Sequence, residues 1–148
     1  MVKAMSEALK LHYEVDGNDF TSAGEASSQM KRMLKQLGVD GGVIRRAAIA
    51  MYEGEINMVI HAEGGEIDVL VDPERITMIL RDRGPGIPDV AAAMKEGFST
   101  APDQIRSLGF GAGMGLPNMK RYTDSLEIQT ELGVGTTLTM TVNIVPQA

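Results

Sequence analysis

Two polar residues in the second predicted helix, Glu53 and Asn57, lie four positions apart and therefore share one helical face. Isoleucines flank them, so the pair borders the apolar stripe that faces the interior. A carboxylate and an amide in this position either hydrogen-bond along the helix or hold a divalent cation and orient a nucleophile. Gly54 between them lowers helix stability by about 1 kcal/mol relative to alanine, which indicates that another group approaches closely.

Asp82 ends a predicted strand and has the same parity as the apolar Ile76, Met78 and Leu80. Its side chain should therefore face the buried layer, where a carboxylate without a hydrogen-bond donor is costly. The segment Gly84-Pro85-Gly86 follows and offers a backbone that a flat group can approach closely. An adenine amino group satisfies both observations and a buried arginine satisfies the first, and the residues alone leave both open.

Alternating glycines precede the helix predicted at Leu116. Glycines that open a helix let main-chain N–H groups and the positive helix end bind phosphate oxygens; a flexible connector is the alternative. The spacing fits neither the Walker loop nor the Rossmann turn. The four glycines are Gly109, Gly111, Gly113 and Gly115.

Gly135-Thr136 begins the last predicted strand. Thr136 has the parity of Leu138 and Met140, so we expect it to face the same layer as Asp82. A threonine at the start of a strand is commonly explained by β-propensity alone. Its hydroxyl is also suited to join Asp82 around one buried heterocycle.

Composition limits the function classes. The chain has 148 residues, 43% apolar and 23% charged, which predicts one globular domain. Cysteine is absent, which excludes disulfides, thiolate catalysis and cysteine-based metal sites. A net charge of −6 argues against a nucleic-acid-coating protein. The first residues contain no apolar run, so neither a signal peptide nor a membrane span is predicted and the expected location is cytoplasmic.

The elements that must position these residues follow from periodicity and turn signals. Short turns between adjacent strands imply largely antiparallel pairing with the helices on one face, so the predicted fold is an α+β two-layer sandwich with a mixed, mostly antiparallel sheet. The predicted strands are 8–15, 67–72, 76–82, 125–131 and 136–145, and the predicted helices run from an N-cap at Asp19 to Leu37, from Val43 to Ala62, from an N-cap at Asp89 to Glu96, and from Leu116 to Asp124.

In this order the four polar and glycine-rich segments resemble the boxes of the GHKL ATPase superfamily, across residues 43 to 142. Glu53 and Asn57 are similar to its N box and Asp82 to Gly86 to its DxGxG box. Gly111 to Leu116 is similar to its second glycine box, and Gly135-Thr136 to its closing GT. The stretch from Gly84 to Asp89, followed by Gly97-Phe98-Ser99-Thr100, resembles the RsbT-like switch kinases, relatives of the RsbW and SpoIIAB anti-sigma kinases.

The resemblance implies one Bergerat-type ATP-binding domain over residues 1–148. It also implies an Mg²⁺- and ATP-dependent serine/threonine protein kinase that phosphorylates a STAS-domain antagonist. Glu53 would be the general base, Asn57 would hold Mg²⁺, and Asp82 would accept from adenine with Thr136 nearby. Gly84 and Gly86 would make room for the base. The glycines from Gly109 to Gly115, with Leu116, would close over the phosphates.

Two other functions remain open. One is an ATP-binding anti-sigma or partner-sequestering module with little catalysis, whose partners would include a sigma factor or a regulatory phosphatase. The other is a histidine-kinase-type catalytic domain. Related kinases often form homodimers, and the sequence leaves that assembly open. Two departures from the family pattern are the added segment Ala101 to Phe110, and Gly54-Glu55 where small or apolar residues are more usual.

Overall fold

Five strands form one sheet in the order β1-β2-β3-β5-β4, and every neighbouring pair is antiparallel. The computed structural model describes residues 9–17, 22–87, 89–94 and 115–144. The helices pack on one face of the sheet, as the α+β sandwich prediction requires. The elements are β1 (Leu9–Asp16), α1 (Glu25–Gln36), α2 (Gly41–His61), β2 (Gly64–Val71), β3 (Arg75–Asp82), α3 (Val90–Ala93), α4 (Gly115–Tyr122), β4 (Ser125–Glu131) and β5 (Gly135–Asn143).

Buried and less buried side chains alternate along β3 and β5, so the core lies between the sheet and the helices. In β5 every second side chain from Thr136 to Val142 is buried, and Ile76, Met78 and Leu80 of β3 are buried beside them. The long helix α2 covers this layer. Its Gly54 packs closely on the sheet, because a Cβ there would lie 2.5 Å from Leu80 Cδ2. The close approach predicted from this glycine is therefore that of a core leucine.

Two helix starts differ from the predictions. Helix α1 begins at Glu25, and its N-cap is Gly24 with φ of 95°; Asp19, the predicted cap, lies outside the described residues. Helix α2 begins at Gly41, two residues earlier than predicted, because the Asp40 side chain accepts hydrogen bonds from the main-chain N–H groups of Gly42 and Val43. The predicted cap of α3 is confirmed, since Asp89 Oδ1 accepts from the Ala92 N–H at 3.0 Å.

The start of α1 is capped from α2, by Glu55. This carboxylate is only 2% exposed. Glu55 Oε2 accepts from the N–H groups of Gly24 (2.9 Å) and Ala26 (3.1 Å), while Oε1 accepts from the Ser27 N–H (3.0 Å) and hydroxyl (2.7 Å). A negative charge at a helix N-terminus is favourable, and four donors compensate its burial. The unusual Glu55 of the N box therefore holds α1 on α2.

A charged cluster crosses the opposite, solvent-facing side of the sheet. Asp68 of β2 accepts from His12 Nδ1 (2.7 Å) and from Arg81 Nη1 (2.7 Å), and His12 Nε2 lies 3.1 Å from Glu14 Oε1. The hydrogen bonds to Asp68 and then Glu14 raise the pKa of His12. The hydrogen bonds from His12 and then Arg81 lower the pKa of Asp68. The cluster ties the edge strand β1 to its neighbour β2 and, through Arg81, to β3.

We expect the stabilisation from this cluster to be largest in mildly acidic solution. The contribution of His12 is fully present below its unfolded pKa of about 6.5 and is lost as the pH rises through its raised native pKa. The contribution of Asp68 is present above its unfolded pKa of about 3.9 and is lost as the pH falls through its lowered native pKa. Thermal unfolding midpoints at pH 5.5 and pH 9 test this, because His12→Gln should reduce the difference between them. An unchanged difference in His12→Gln would contradict the assignment.

Candidate functional site

Asp82 ends β3 between glycines from both neighbouring strands. Gly65 of β2 is its cross-strand partner, and a Cβ on Gly135 of β5 would collide with the Asp82 carbonyl oxygen. Asp82 Oδ1 accepts from the main-chain N–H groups of Gly84 (3.0 Å) and Thr136 (2.9 Å). Within the described part of the chain, no hydrogen bond reaches Oδ2. Among these described residues, the carboxylate is thus held through Oδ1.

Thr136 lies in the same cluster, on the face that its parity predicts. The residue is 6% exposed, and its Oγ1 lies 2.9 Å from Thr130 Oγ1, which also accepts from the Ile87 N–H at 2.8 Å. The alternative of a buried arginine beside Asp82 finds no support among the described residues. Arg81, as its opposite parity predicts, instead bonds Asp68 on the other face of the sheet.

The loop after Asp82 packs between α2 and the β4–β5 turn. A Cβ on Gly84 would lie 2.6 Å from Ala62 Cβ, and one on Gly86, where φ is +85°, would lie 2.7 Å from the Glu131 carbonyl oxygen. The protein's own packing therefore gives a sufficient reason for both glycines. Their predicted second role, making room for a base, stays a prediction.

His61 adds a titratable group near this end of β3, one to which the sequence analysis gave no role. It occupies the last turn of α2, and burial lowers its pKa, while the charge of Asp82 acts in the opposite direction.

Helix α4 runs beside the turn of α2 that carries Glu53 and Asn57, here called the N-box turn. The start of α4, at Gly115, therefore lies next to the predicted catalytic and Mg²⁺-binding residues. A Cβ on Gly115 would lie 2.8 Å from Asn57 Nδ2. One turn along, Asn118 Nδ2 donates to Glu53 Oε1 at 3.3 Å. Leu116 is 7% exposed and belongs to the core. Three of the glycines predicted to hold phosphate lie outside the described residues: Gly109, Gly111 and Gly113.

Asn118 is the site residue that sequence reasoning missed. Its only signal is its position three residues after Gly115, and nothing local in the sequence pairs it with Glu53, 65 positions away.

A cavity of about 670 Å³ opens on another side of Glu53, between α2 and the start of α1. Tyr52 and Ile49 form its apolar wall, and Glu25, Ser28 and Lys31 lie across from them. Tyr52 is 41% exposed, so its ring borders solvent at this cavity. Glu53 is therefore bounded by α4 at one carboxylate oxygen and by a solvent-accessible cavity elsewhere.

The site thus combines a carboxylate and an amide beside a helix that begins at a glycine, with a second carboxylate at the end of a strand. A sequence model of the Histidine kinase-like ATPase domain family matches residues 18–142. The chain belongs to this family. The serine/threonine-protein kinase RsbT of Bacillus subtilis is 33% identical over 118 residues, which cover 75% of this chain and 81% of the relative. The anti-sigma F factor of Caldanaerobacter subterraneus subsp. tengcongensis is 34% identical over 97 residues, 62% of this chain and 64% of the relative.

A solved structure supports the same fold for this ATPase domain. The RsbU and RsbW domains of a Mycobacterium tuberculosis protein superpose with a TM-score of 0.59 at 19% identity, covering 90% of this chain and 32% of that one. The predicted superfamily and sandwich fold are confirmed, and the kinase prediction is confirmed at the level of the family. In the described residues, no helix is both long and apolar enough to cross a membrane.

Proposed function

We propose that this ATPase-family domain is an Mg²⁺- and ATP-dependent serine/threonine protein kinase whose general base is Glu53. The observation that carries the proposal is the placement of this carboxylate. It contacts the start of α4 through Asn118 and borders the 670 Å³ cavity. A general base must lie between the phosphate donor and the acceptor hydroxyl, and Glu53 has the donor-side helix on one side and an accessible space on another.

The residues of the Asp82 cluster fit the adenine of ATP. The exocyclic amine of adenine needs an acceptor, and Asp82 Oδ2 is free of hydrogen bonds from the rest of the described structure, while Oδ1 is held by Gly84 and Thr136. Thr136 and Gly86 would border the same base. A fixed acceptor binds better than a mobile one because less conformational entropy is lost on binding.

Asn57 fits a magnesium ion that accompanies the nucleotide. Mg²⁺ prefers oxygen ligands and usually keeps several waters, so one amide oxygen from the protein, together with phosphate oxygens, is a sufficient donor set. The Asn57 amide meets Gly115, where α4 begins. We assign the phosphates to this helix start and to the glycines Gly109, Gly111 and Gly113. The bound ion would supply charge neutralisation, and the protein would supply orientation.

The proposed acceptor is a serine or threonine on a STAS-domain antagonist, the partner implied by the resemblance to the RsbT-like kinases. The regulatory names of the relatives support a partner-switching role. A sigma factor, a regulatory phosphatase or a second copy of this chain are the further binding partners proposed.

Calorimetric titration with ATP and ADP, with and without Mg²⁺, tests the nucleotide site. A transfer assay with labelled ATP and STAS-domain proteins from the same genome then tests the activity. We expect Mg²⁺-dependent ATP binding followed by phosphorylation of a serine or threonine. Absence of nucleotide binding would overturn the proposal. Nucleotide binding with capture of a sigma factor and no transfer would favour the sequestering module instead.

A further inference from the structure

The contact between α4 and the N-box turn of α2 involves the proposed base directly. We propose that Asn118 is a positioning residue, which holds Glu53 through Oε1 so that Oε2 is left to take the proton of the acceptor hydroxyl. This inference rests on the proposed kinase function and assigns a residue that neither the sequence motifs nor the family boxes include.

The packing of the two helices fixes which side chains meet. Gly115 lies against Asn57, and one turn further along α4 the side chain of Asn118 reaches Glu53, one turn earlier in α2. Between them a Cβ on Gly54 would lie 3.6 Å from the sulfur of Met119, which is fully buried. Because Met119 anchors α4 in the core, the amide of Asn118 is presented to Glu53 from a rigid element.

The direction of this hydrogen bond is set by chemistry. An ionised carboxylate only accepts, whereas an amide nitrogen donates. Asn118 Nδ2 therefore donates to Glu53 Oε1, and the two carboxylate oxygens become inequivalent. A glutamate side chain without such a contact loses rotamer entropy on adopting one geometry. A donor on a helix that Met119 anchors in the core reduces that loss before the substrate arrives.

The proposed base also borders solvent-accessible space. Glu53 forms part of the cavity wall next to Tyr52, while Ser28 and Lys31 of α1 lie across from it. The cavity is wide open to solvent, so a segment of another protein can reach it. We place the acceptor serine or threonine of the substrate protein there.

The transfer moves one phosphoryl group and one proton. The acceptor oxygen forms a bond to the γ-phosphorus of ATP, and the bond from that phosphorus to the β–γ bridging oxygen breaks. The bridging oxygen keeps the electron pair and leaves with ADP. The proton of the acceptor hydroxyl goes to Glu53 Oε2, while Oε1 keeps its bond to Asn118.

Three variants of Asn118 distinguish a positioning role from a purely structural one. Asn118→Ala removes the donor and should lower kcat by roughly 10-fold, a part of the factor that precise orientation contributes, with nucleotide affinity unchanged. Asn118→Gln keeps a donor and should recover part of that loss. Asn118→Asp places a second carboxylate beside Glu53 and should raise the Glu53 pKa, which a ¹³C-carboxyl NMR titration of the nucleotide-free protein measures. Asn143→Ala, in β5, is the matched control and should keep the wild-type kcat and nucleotide affinity.

The outcomes distinguish this inference from the kinase proposal. A wild-type kcat in Asn118→Ala, or an unshifted Glu53 titration in Asn118→Asp, overturns the positioning role even if Glu53→Gln is inactive. Wild-type transfer by Glu53→Gln instead overturns the assignment of the base itself. Unchanged circular dichroism and unchanged ATP affinity in the Asn118 variants establish that a lowered kcat does not come from misfolding.

Discussion

Glu53→Gln is expected to lower kcat for phosphotransfer by about 10²- to 10⁴-fold, the usual contribution of a general base, while ATP affinity stays close to that of the wild type. Glutamine has nearly the same size and can still accept the hydrogen bond from Asn118, so the packing of α4 on α2 is retained. It cannot take a proton from the acceptor hydroxyl. Single-turnover transfer and calorimetric titration measure the two effects separately.

Glu25→Gln is the matched control for this variant. Glu25 lines the same cavity and is exposed at the start of α1, but no role in proton transfer is assigned to it. We expect transfer by Glu25→Gln within a factor of about two to three of the wild type, because exposed substitutions have small effects. Transfer by Glu53→Gln at the rate of this control would show that another group accepts the proton.

Asp82→Asn is expected to weaken ATP and ADP binding by about 10- to 100-fold, which corresponds to the loss of a hydrogen bond to a charged acceptor. The asparagine oxygen can still accept from Gly84 and Thr136, so the loop after β3 keeps its anchor. Its amide nitrogen, however, replaces the oxygen that would face the exocyclic amine of adenine. Two donors would then face each other.

Asp82→Ala should behave differently, since it removes the acceptor of both main-chain donors. We expect it to lower the free energy of unfolding by roughly 1–3 kcal/mol in addition to abolishing binding, as chemical denaturation would show. Asp72→Asn, in the turn before β3, is the control. Unchanged nucleotide affinity in Asp82→Asn would remove Asp82 from the adenine site.

Features governed by local periodicity could be predicted from the sequence. The parity of two strands places Asp82 and Thr136 on one face, and the structure joins them by a hydrogen bond between residues 54 positions apart. The β2–β3 and β4–β5 pairings follow from short turns, whereas the β1–β2 and β3–β5 pairings join strands that are distant in the sequence. A glycine lowers the stability of a helix, so Gly54 predicts a close neighbour. The sequence does not identify Leu80 as that neighbour.

Features that depend on contacts between distant segments could not be predicted. The predicted start of α1 is too early because Ser27 and its neighbours are capped by Glu55 of another helix, rather than by a side chain that precedes them. Asn118 has no local pattern that links it to Glu53. In both cases the deciding hydrogen bond joins elements whose relative positions are set by core packing.

The buried cap on α1 has a consequence for the interchange of segments among relatives. Glu53 and Glu55 sit two residues apart on α2, and Glu55 fixes the start of α1 that forms the far wall of the cavity beside Glu53. A chimera that imports the α2 segment of a relative with an apolar residue at position 55 would leave the donors of Gly24, Ala26 and Ser27 without their acceptor. The beginning of α1 and the N box of this protein therefore depend on each other structurally. An exchange of segments meant to transfer acceptor specificity should move both together.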